Sequence, residues 1–412
     1  MEIRPILSAL LRQKTGPLLV AIQVAISLAI LANALFIVSE RIATSERPSG
    51  IGNENDVGYL QVFPLKKPSH NEILAQRQTD LRAIRAIPGV KAAAMTSQMP
   101  MSRSGSQSSV RVNPGAQTET ASPAVYQGEE DFVRTMGLKL LEGRDITAQD
   151  ITEHDADTQT ENEGFPKNVL VSLSLARLMF PDATTYTGRR FYFGLGTEKT
   201  ATIVGVIERL QSPGASAKPT GEHSVILPMR VSHPFWRYVV RAEPGQLDRV
   251  LREADETLRK IAPAPVAVDV RTVAKDRHDR YRNERAMAWM LVAVSVLLLL
   301  ITLSGIVGMT MLRVAQRRKQ IGVRRALGAT WRDIMRYFIT ENLMITTGGI
   351  VAGLLLAIAL NQLLMRQVQM GKLPLEYLAY GAALLWVLGV ASVYGPASRA
   401  ASTSPAIATR TV

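Results

Sequence analysis

The sequence predicts a membrane protein of four transmembrane α-helices, with a large two-lobed α+β extracytoplasmic domain inserted between helices 1 and 2. Three observations predict it. There are four long uncharged apolar runs. A basic excess is confined to short segments that flank them. After the first run, residues 39–272 alternate between β-rich and helical patterns.

Residues 1–16 read as a cytoplasmic N-terminal segment and 17–38 as the first span. Arg4, Arg12 and Lys14 ahead of an apolar run have the look of a signal peptide. The uncharged core, however, exceeds the ~7 to 15 residues of such a segment and no A-x-A site follows Val38, so a retained anchor is expected. In the domain, 59–65, 110–112, 191–194, 200–207, 224–229 and 238–242 are β-rich and bounded by Gly, Pro or Ser. Residues 71–87 and 245–261 are helical in pattern and each is ended by proline. Two stretches, 99–115 and 145–164, read as mobile loops, the first Gly/Ser-rich and the second acidic.

Residues 273–286, "VAKDRHDRYRNERA", run into the second span without Gly or Pro. They are either a solvated helix face or a rigid stem able to pass movement between membrane and outer domain, with Asp276, Arg280 and Arg285 along it. The second span, 287–312, is 26 residues without a charge, where ~20 helical residues cross a hydrocarbon core. A cytoplasmic basic segment (313–340), a third span (344–365), a short hairpin (366–374), a fourth span (375–396) and a cytoplasmic tail (397–412) complete the chain.

Charge fixes the orientation. Segments 1–16, 313–336 and 397–412 carry 13 basic residues and 2 acids, whereas 40–286 balances 33 against 31. Nearly all of the net +13, namely +11, therefore lies on one side of a four-span topology, as the positive-inside rule requires of the cytoplasmic face. Both termini are expected inside, against anionic lipid headgroups. With topology accounting for the basic residues and no aromatic platform present, nucleic acid is not an expected partner.

Enzyme signatures are missing. The sequence has no G-x-x-x-x-G-K-[ST] and no G-x-S-x-G. Five scattered histidines (70, 154, 223, 233, 278) lack metal-ligand spacing and read as surface residues, and there is no cysteine for thiol chemistry or a disulfide. The spans hold no ionisable residue in their interiors, which argues for energy supplied from elsewhere. Gly305-x-x-Gly308 and Gly349-x-x-x-Gly353 put small residues on helix faces, for dimerisation or for packing within the chain. In the basic segment, Trp331, Ile334, Met335 and Phe338 recur at helical spacing opposite Arg332, Asp333 and Arg336, the pattern of an interfacial amphipathic helix.

The segment "RRKQIGVRRALGATWRDIMRYFITENLMITTGGIVAGLLLA", with "LRAIRAIPGV", "DFVRTMGLKLLEGRDIT" and "GPASRAASTSPAIATRT", resembles the permeases of the macrolide-exporter (MacB) and FtsX family of ATP-binding-cassette (ABC) systems. The resemblance covers nearly the whole chain. It implies that a coupling helix after "ALGA" docks on an ATPase, through Gln320, Ile321, Gly322, Arg324, Arg325, Ala326, Leu327, Gly328 and Ala329, then Trp331, Arg332, Asp333 and Ile334. Family members usually have Arg-Glu before the Ile-Gly; Lys319-Gln320 here removes one expected salt link. With 16 residues before the first span, the ATPase, its ATP and its Mg are expected on a separate chain. The resemblance also implies a second permease chain, identical or homologous, an inner membrane of a Gram-negative cell, and a periplasmic adaptor with an outer-membrane channel. The function it implies is efflux of periplasmic substrates by mechanotransmission. An FtsX-like regulatory role on a cell-envelope partner, or lipoprotein release, is the alternative.

Overall fold

The computed structural model describes residues 10, 15–66, 68–155, 164–195, 199–216, 219–231, 236–368 and 371–402. In chain order the helices are α1 (Thr15–Glu46), α2 (His70–Arg85), α3 (Phe132–Met136), α4 (Leu173–Met179), α5 (Leu247–Ile261), α6 (Val273–Gln316), α7 (Arg318–Ala326), α8 (Trp331–Val368) and α9 (Leu375–Ala401). The strands are β1 (Val57–Pro64), β2 (Val90–Thr96), β3 (Val110–Arg111), β4 (Ala124–Gly128), β5 (Leu140–Gly143), β6 (Thr152–His154), β7 (Asn168–Ser172), β8 (Arg190–Phe193), β9 (Thr200–Ile207), β10 (Ser224–Val231), β11 (Trp236–Ala242) and β12 (Val266–Thr272). The chain divides into a sheet-rich unit, Glu46–Arg282, and a helical unit formed from the segments before and after it.

In the sheet-rich unit the main strand order is β12-β1-β11-β2-β4-β10-β7-β9-β8-β3, with β5 on β9 and β6 on β10. The two lobes are the two halves of this sheet. One packs α2 and α5 through Ile73, Leu81, Ile84, Val250, Leu251 and Leu258 onto Leu60, Val62, Tyr238 and Val240. The other packs α4 through Leu175 and Met179 onto Val169, Phe191, Ile203, Val206 and Val225. Between them, β2 and β4 pair through the single step Thr96↔Gly128. A third core joins β1, β4, β7, β10 and β11 to α3 and takes in Val273 and Tyr281 of α6.

The predicted strands and both predicted helices are present, within a few residues at each end. Six strands were not expected: β2, β4, β5, β6, β7 and β12. Several are Ala-, Gly- or Ser-bearing or lack polar alternation, because they lie in the sheet interior with both faces covered. Residues 99–115 are not a free loop: Met99 and Met101 are fully buried in the third core, and Val110–Arg111 pairs with β8. The acidic stretch from 145 is likewise tied down up to Asp155, with residues 156–163 outside the described set. His223, expected at the surface, is buried, and desolvation lowers its pKa.

Asp150 holds that acidic stretch. Its carboxylate accepts from Arg144 Nη1 and Nη2 (2.6 and 2.8 Å), Asn168 Nδ2 (2.7 Å) and the Thr147 N–H and hydroxyl (2.9 and 2.7 Å). The Arg144 guanidinium, with these other donors, holds the carboxyl far below the usual carboxylate range. A depressed folded pKa means that the stabilisation is complete above the unfolded value near ~4 and is lost as pH falls below it. Asp150→Ala is therefore expected to destabilise by about 1–3 kcal/mol at pH 7, since Arg144 is half solvated. Denaturant titrations should show the gap between variant and wild type narrowing below about pH 4.

Among the described residues, the helical unit contains four helices long and apolar enough to cross a membrane: α1, α6, α8 and α9. Their shared core includes Val24 and Leu28 of α1, Ile306 of α6, Ile345 and Ile350 of α8, and Leu385 and Val393 of α9. Gly349 and Gly353 let α8 press on α1, where an added Cβ would lie 2.7 Å from the Ala21 carbonyl and 2.9 Å from that of Ala25. Gly305 faces Gln23 of α1, while Gly308 has open space around it. The small residues 305, 349 and 353 thus serve packing within the chain, and Gly308 does not.

Candidate functional site

The sequence-predicted docking residues lie on α7, the turn after it and the first turns of α8. The turn is a glycine C-cap: Gly328 has φ +98°, its N–H donates to Arg325 O (3.1 Å), and the Ala329 N–H donates to Arg324 O (3.0 Å). This pairing of two end carbonyls needs a left-handed residue, which glycine supplies without a steric cost. At Thr330 the next helix is capped at once. The Asp333 N–H donates to Thr330 Oγ1 (3.3 Å), while Asp333 Oδ2 accepts from the Thr330 N–H (3.0 Å) and hydroxyl (2.5 Å).

Two tight caps back to back hold the four-residue turn, and the turn presents apolar side chains outward. Leu327 is 83% exposed, Val323 52% and Trp331 39%, on a surface that also carries Gln320, Arg324, Ala326, Gly328 and Arg332. Ile321, Gly322 and Ile334 are buried and support the turn from beneath. Arg325 is half-buried and donates to Ala401 O (2.6 Å) at the end of α9, and Arg324 lies over the Tyr337 ring at 5.2 Å. Arg325 therefore ties α7 to α9 rather than pointing wholly outward.

Two expectations are corrected here. No separate short helix follows "ALGA": residues 331–337 are the opening turns of the 38-residue α8, and the short helix is the preceding α7. The apolar stripe Ile334, Met335 and Phe338 is buried in the helical core instead of lying on a membrane interface, with Trp331 alone left exposed.

A buried carboxylate below the turn escaped sequence reasoning. Glu341 is 2% exposed and accepts from Arg313 Nη1 (3.3 Å) and Arg317 Nη1 (3.2 Å), and Arg317 also donates to Tyr337 Oη (2.6 Å). Next to it, Asn342 donates to Gly389 O (3.0 Å) on α9. The end of α6 and the starts of α7 and α8 are thereby joined by one charged and aromatic network. The signal was present: "TEN" interrupts the apolar pattern three residues before the predicted third span.

At its other end α6 begins inside the sheet-rich unit. Asp276 is buried, accepts from Tyr59 Oη (2.7 Å) and pairs with Arg271 (3.6 Å). Arg277 pairs with Glu54 (2.6 Å), Arg280 donates to Gly214 O (2.9 Å), and Tyr281 is fully buried. Of the three predicted stem residues, Asp276 and Arg280 are anchors. Arg285 is exposed and makes no ion pair among the described residues, whereas its neighbour Glu284 pairs with Arg41 of α1. Sequence reading missed Arg277 and Tyr281. Over its 44 residues α6 would span about 66 Å.

A four-span helical unit with an α/β domain inserted after the first span defines a multi-pass membrane protein of the permease class. Residues 22–257 match the MacB-like periplasmic core domain and residues 292–405 the FtsX-like permease C-terminal domain, and the chain belongs to this MacB/FtsX-like family of ABC transporter permeases. It is 26% identical over 246 residues to the macrolide export ATP-binding/permease protein MacB of Agrobacterium fabrum, covering 57% of this chain and 34% of that protein. It is 32% identical over 127 residues to the pyoverdine export ATP-binding/permease protein PvdT of Pseudomonas syringae pv. tomato, covering 31% and 19%. The chain thus spans about a third or less of the length of these relatives. Among solved structures, the periplasmic region of MacB from Actinobacillus actinomycetemcomitans aligns over 57% of this chain and 95% of that one, at 12% identity and a TM-score of 0.35.

Proposed function

We propose that the chain is the permease subunit of an ABC-type efflux system, converting ATP-driven motion at its cytoplasmic turn into movement of its extracytoplasmic domain. The observation that carries this reading is the exposed Val323, Leu327 and Trp331 set on a doubly capped turn. Large apolar side chains on an otherwise basic surface fit burial by a partner protein. The partner in this reading is an ATPase that brings ATP and Mg, which is supported by the relatives being named ATP-binding/permease proteins. The network at Glu341 links the docking turn to α6, and α6 is continuous into the sheet-rich unit. Export as the outcome rests on the relatives named as macrolide and pyoverdine exporters. In this reading two permease chains pair in an inner membrane with their termini cytoplasmic, and an adaptor with an outer-membrane channel carries substrate onward.

The test is Arg324→Glu combined with Leu327→Asp. Both side chains are exposed, so folding and insertion should persist, while the ATPase should no longer co-purify and its turnover should fall to that of the ATPase alone. Unchanged co-purification and turnover would remove the docking role.

A further inference from the structure

The sheet-rich unit holds a cavity of about 420 Å3 beneath α2, in the size range of small-molecule sites. Its walls are largely apolar: Val62 of β1, Ile73 of α2, Trp236 of β11, Leu258 near the end of α5, Pro263 of the loop that follows and Val266 of β12, with Gln76 and Thr79 of α2 as polar lining. Lys66, Glu72 and Ala75, all exposed, stand at its mouth.

Among the described residues, the one buried ionisable group lining this cavity is Asp80, only 3% exposed. Its Oδ2 accepts from the Tyr238 hydroxyl (2.5 Å) and its Oδ1 from Gln76 Nε2 (2.7 Å), both neutral donors. Among the described residues Asp80 makes no ion pair. Arg77 is committed elsewhere: it donates to Val231 O (2.6 Å) and stacks on the Trp236 ring at 5.1 Å. Burial pushes the Asp80 carboxyl up, as desolvation without a compensating cation must. A carboxylate has about four acceptor positions, and two are used here. The cavity therefore combines aromatic and aliphatic walls with an acid that lacks a counter-ion, and its chemical complement is an apolar body with one cationic donor.

We propose that this cavity binds an organic amine, with a ring-bearing body against Ile73, Trp236 and Leu258 and its ammonium donating to Asp80. The inference stands apart from the efflux reading: it needs neither an ATPase nor transport.

The probe is diphenylpropylamine, compared with its isosteric alcohol diphenylpropanol, on the full chain in lipid nanodiscs. Empty discs supply the correction for partition into lipid. The amine is expected to bind at least about tenfold more tightly than the alcohol, the gain of one added charged hydrogen bond. Asp80→Asn should bring the two ligands to equal affinity. Ala75→Trp, at the mouth and away from the core, should weaken both by about tenfold or more, and it keeps the test usable should Asp80→Asn fold poorly. Equal affinities in the wild type, an amine preference that survives Asp80→Asn, or binding untouched by Ala75→Trp would each overturn the proposal.

Discussion

Inserting a Gly-Ser pair between Arg282 and Asn283 is expected to leave ATP hydrolysis by the assembled complex near its wild-type rate while export falls to background. The site follows the last residue of α6 anchored in the sheet-rich unit, Tyr281, so Asp276, Arg277 and Arg280 keep their partners. Two extra residues turn the helix by about 200° and lengthen it by about 3 Å, and glycine adds a soft joint that costs roughly 1 kcal/mol against alanine. A helical tetrapeptide of Ala and Glu at the same place supplies the contrast. Four residues turn the helix by about 400°, close to its original phase, and preserve its stiffness. That variant should retain most of the export. Equal behaviour of the two insertions, or normal export in the first, would take α6 out of the mechanism.

The second large effect is expected at Glu341. Glu341→Leu leaves Arg313 and Arg317 facing a buried apolar group, and removing one partner of a buried ion pair typically costs about 3–5 kcal/mol. Arg313 and Arg317 keep some contact with solvent, so the lower end, about 3 kcal/mol, is expected for unfolding of the helical unit in mixed micelles. Replacing all three, with Arg313→Met and Arg317→Met added, should recover much of that stability but not ATP-stimulated export, because the link from docking turn to α6 is then gone. Full export by the triple variant would show that the network is merely structural.

The spans, the inserted domain and the charge segregation were legible because each rests on runs of 20 residues or more, where composition dominates over local detail. Strands β2 and β7 were not, because "VKAAAMT" and "NVLVS" owe their state to pairing partners far along the chain. At the candidate site the turn was found but its construction was misread. The periodicity of Ile334, Met335 and Phe338 announces a buried face, yet it does not say whether lipid or protein covers it, and here the chain's own helices do. Nor could spacing show that Arg325 would cap α9 at Ala401, or that Asp333 would serve as half of a helix cap. Glu341 is hard to read from the sequence because the uncharged apolar run starts after it, while the helix begins ten residues before it.

In the proposed mechanism, nucleotide state at the docking turn moves the sheet-rich unit. The chain has no cysteine, so spin labels can be placed at will. Labels at Glu256→Cys on α5 and Arg366→Cys near the end of α8, both exposed positions, report the distance between the two units within one labelled chain of the ATPase-bound complex. That distance should shift when the complex is trapped with ATP, and the shift should vanish in the Gly-Ser insertion. A distance distribution identical with and without ATP would contradict mechanotransmission by this chain.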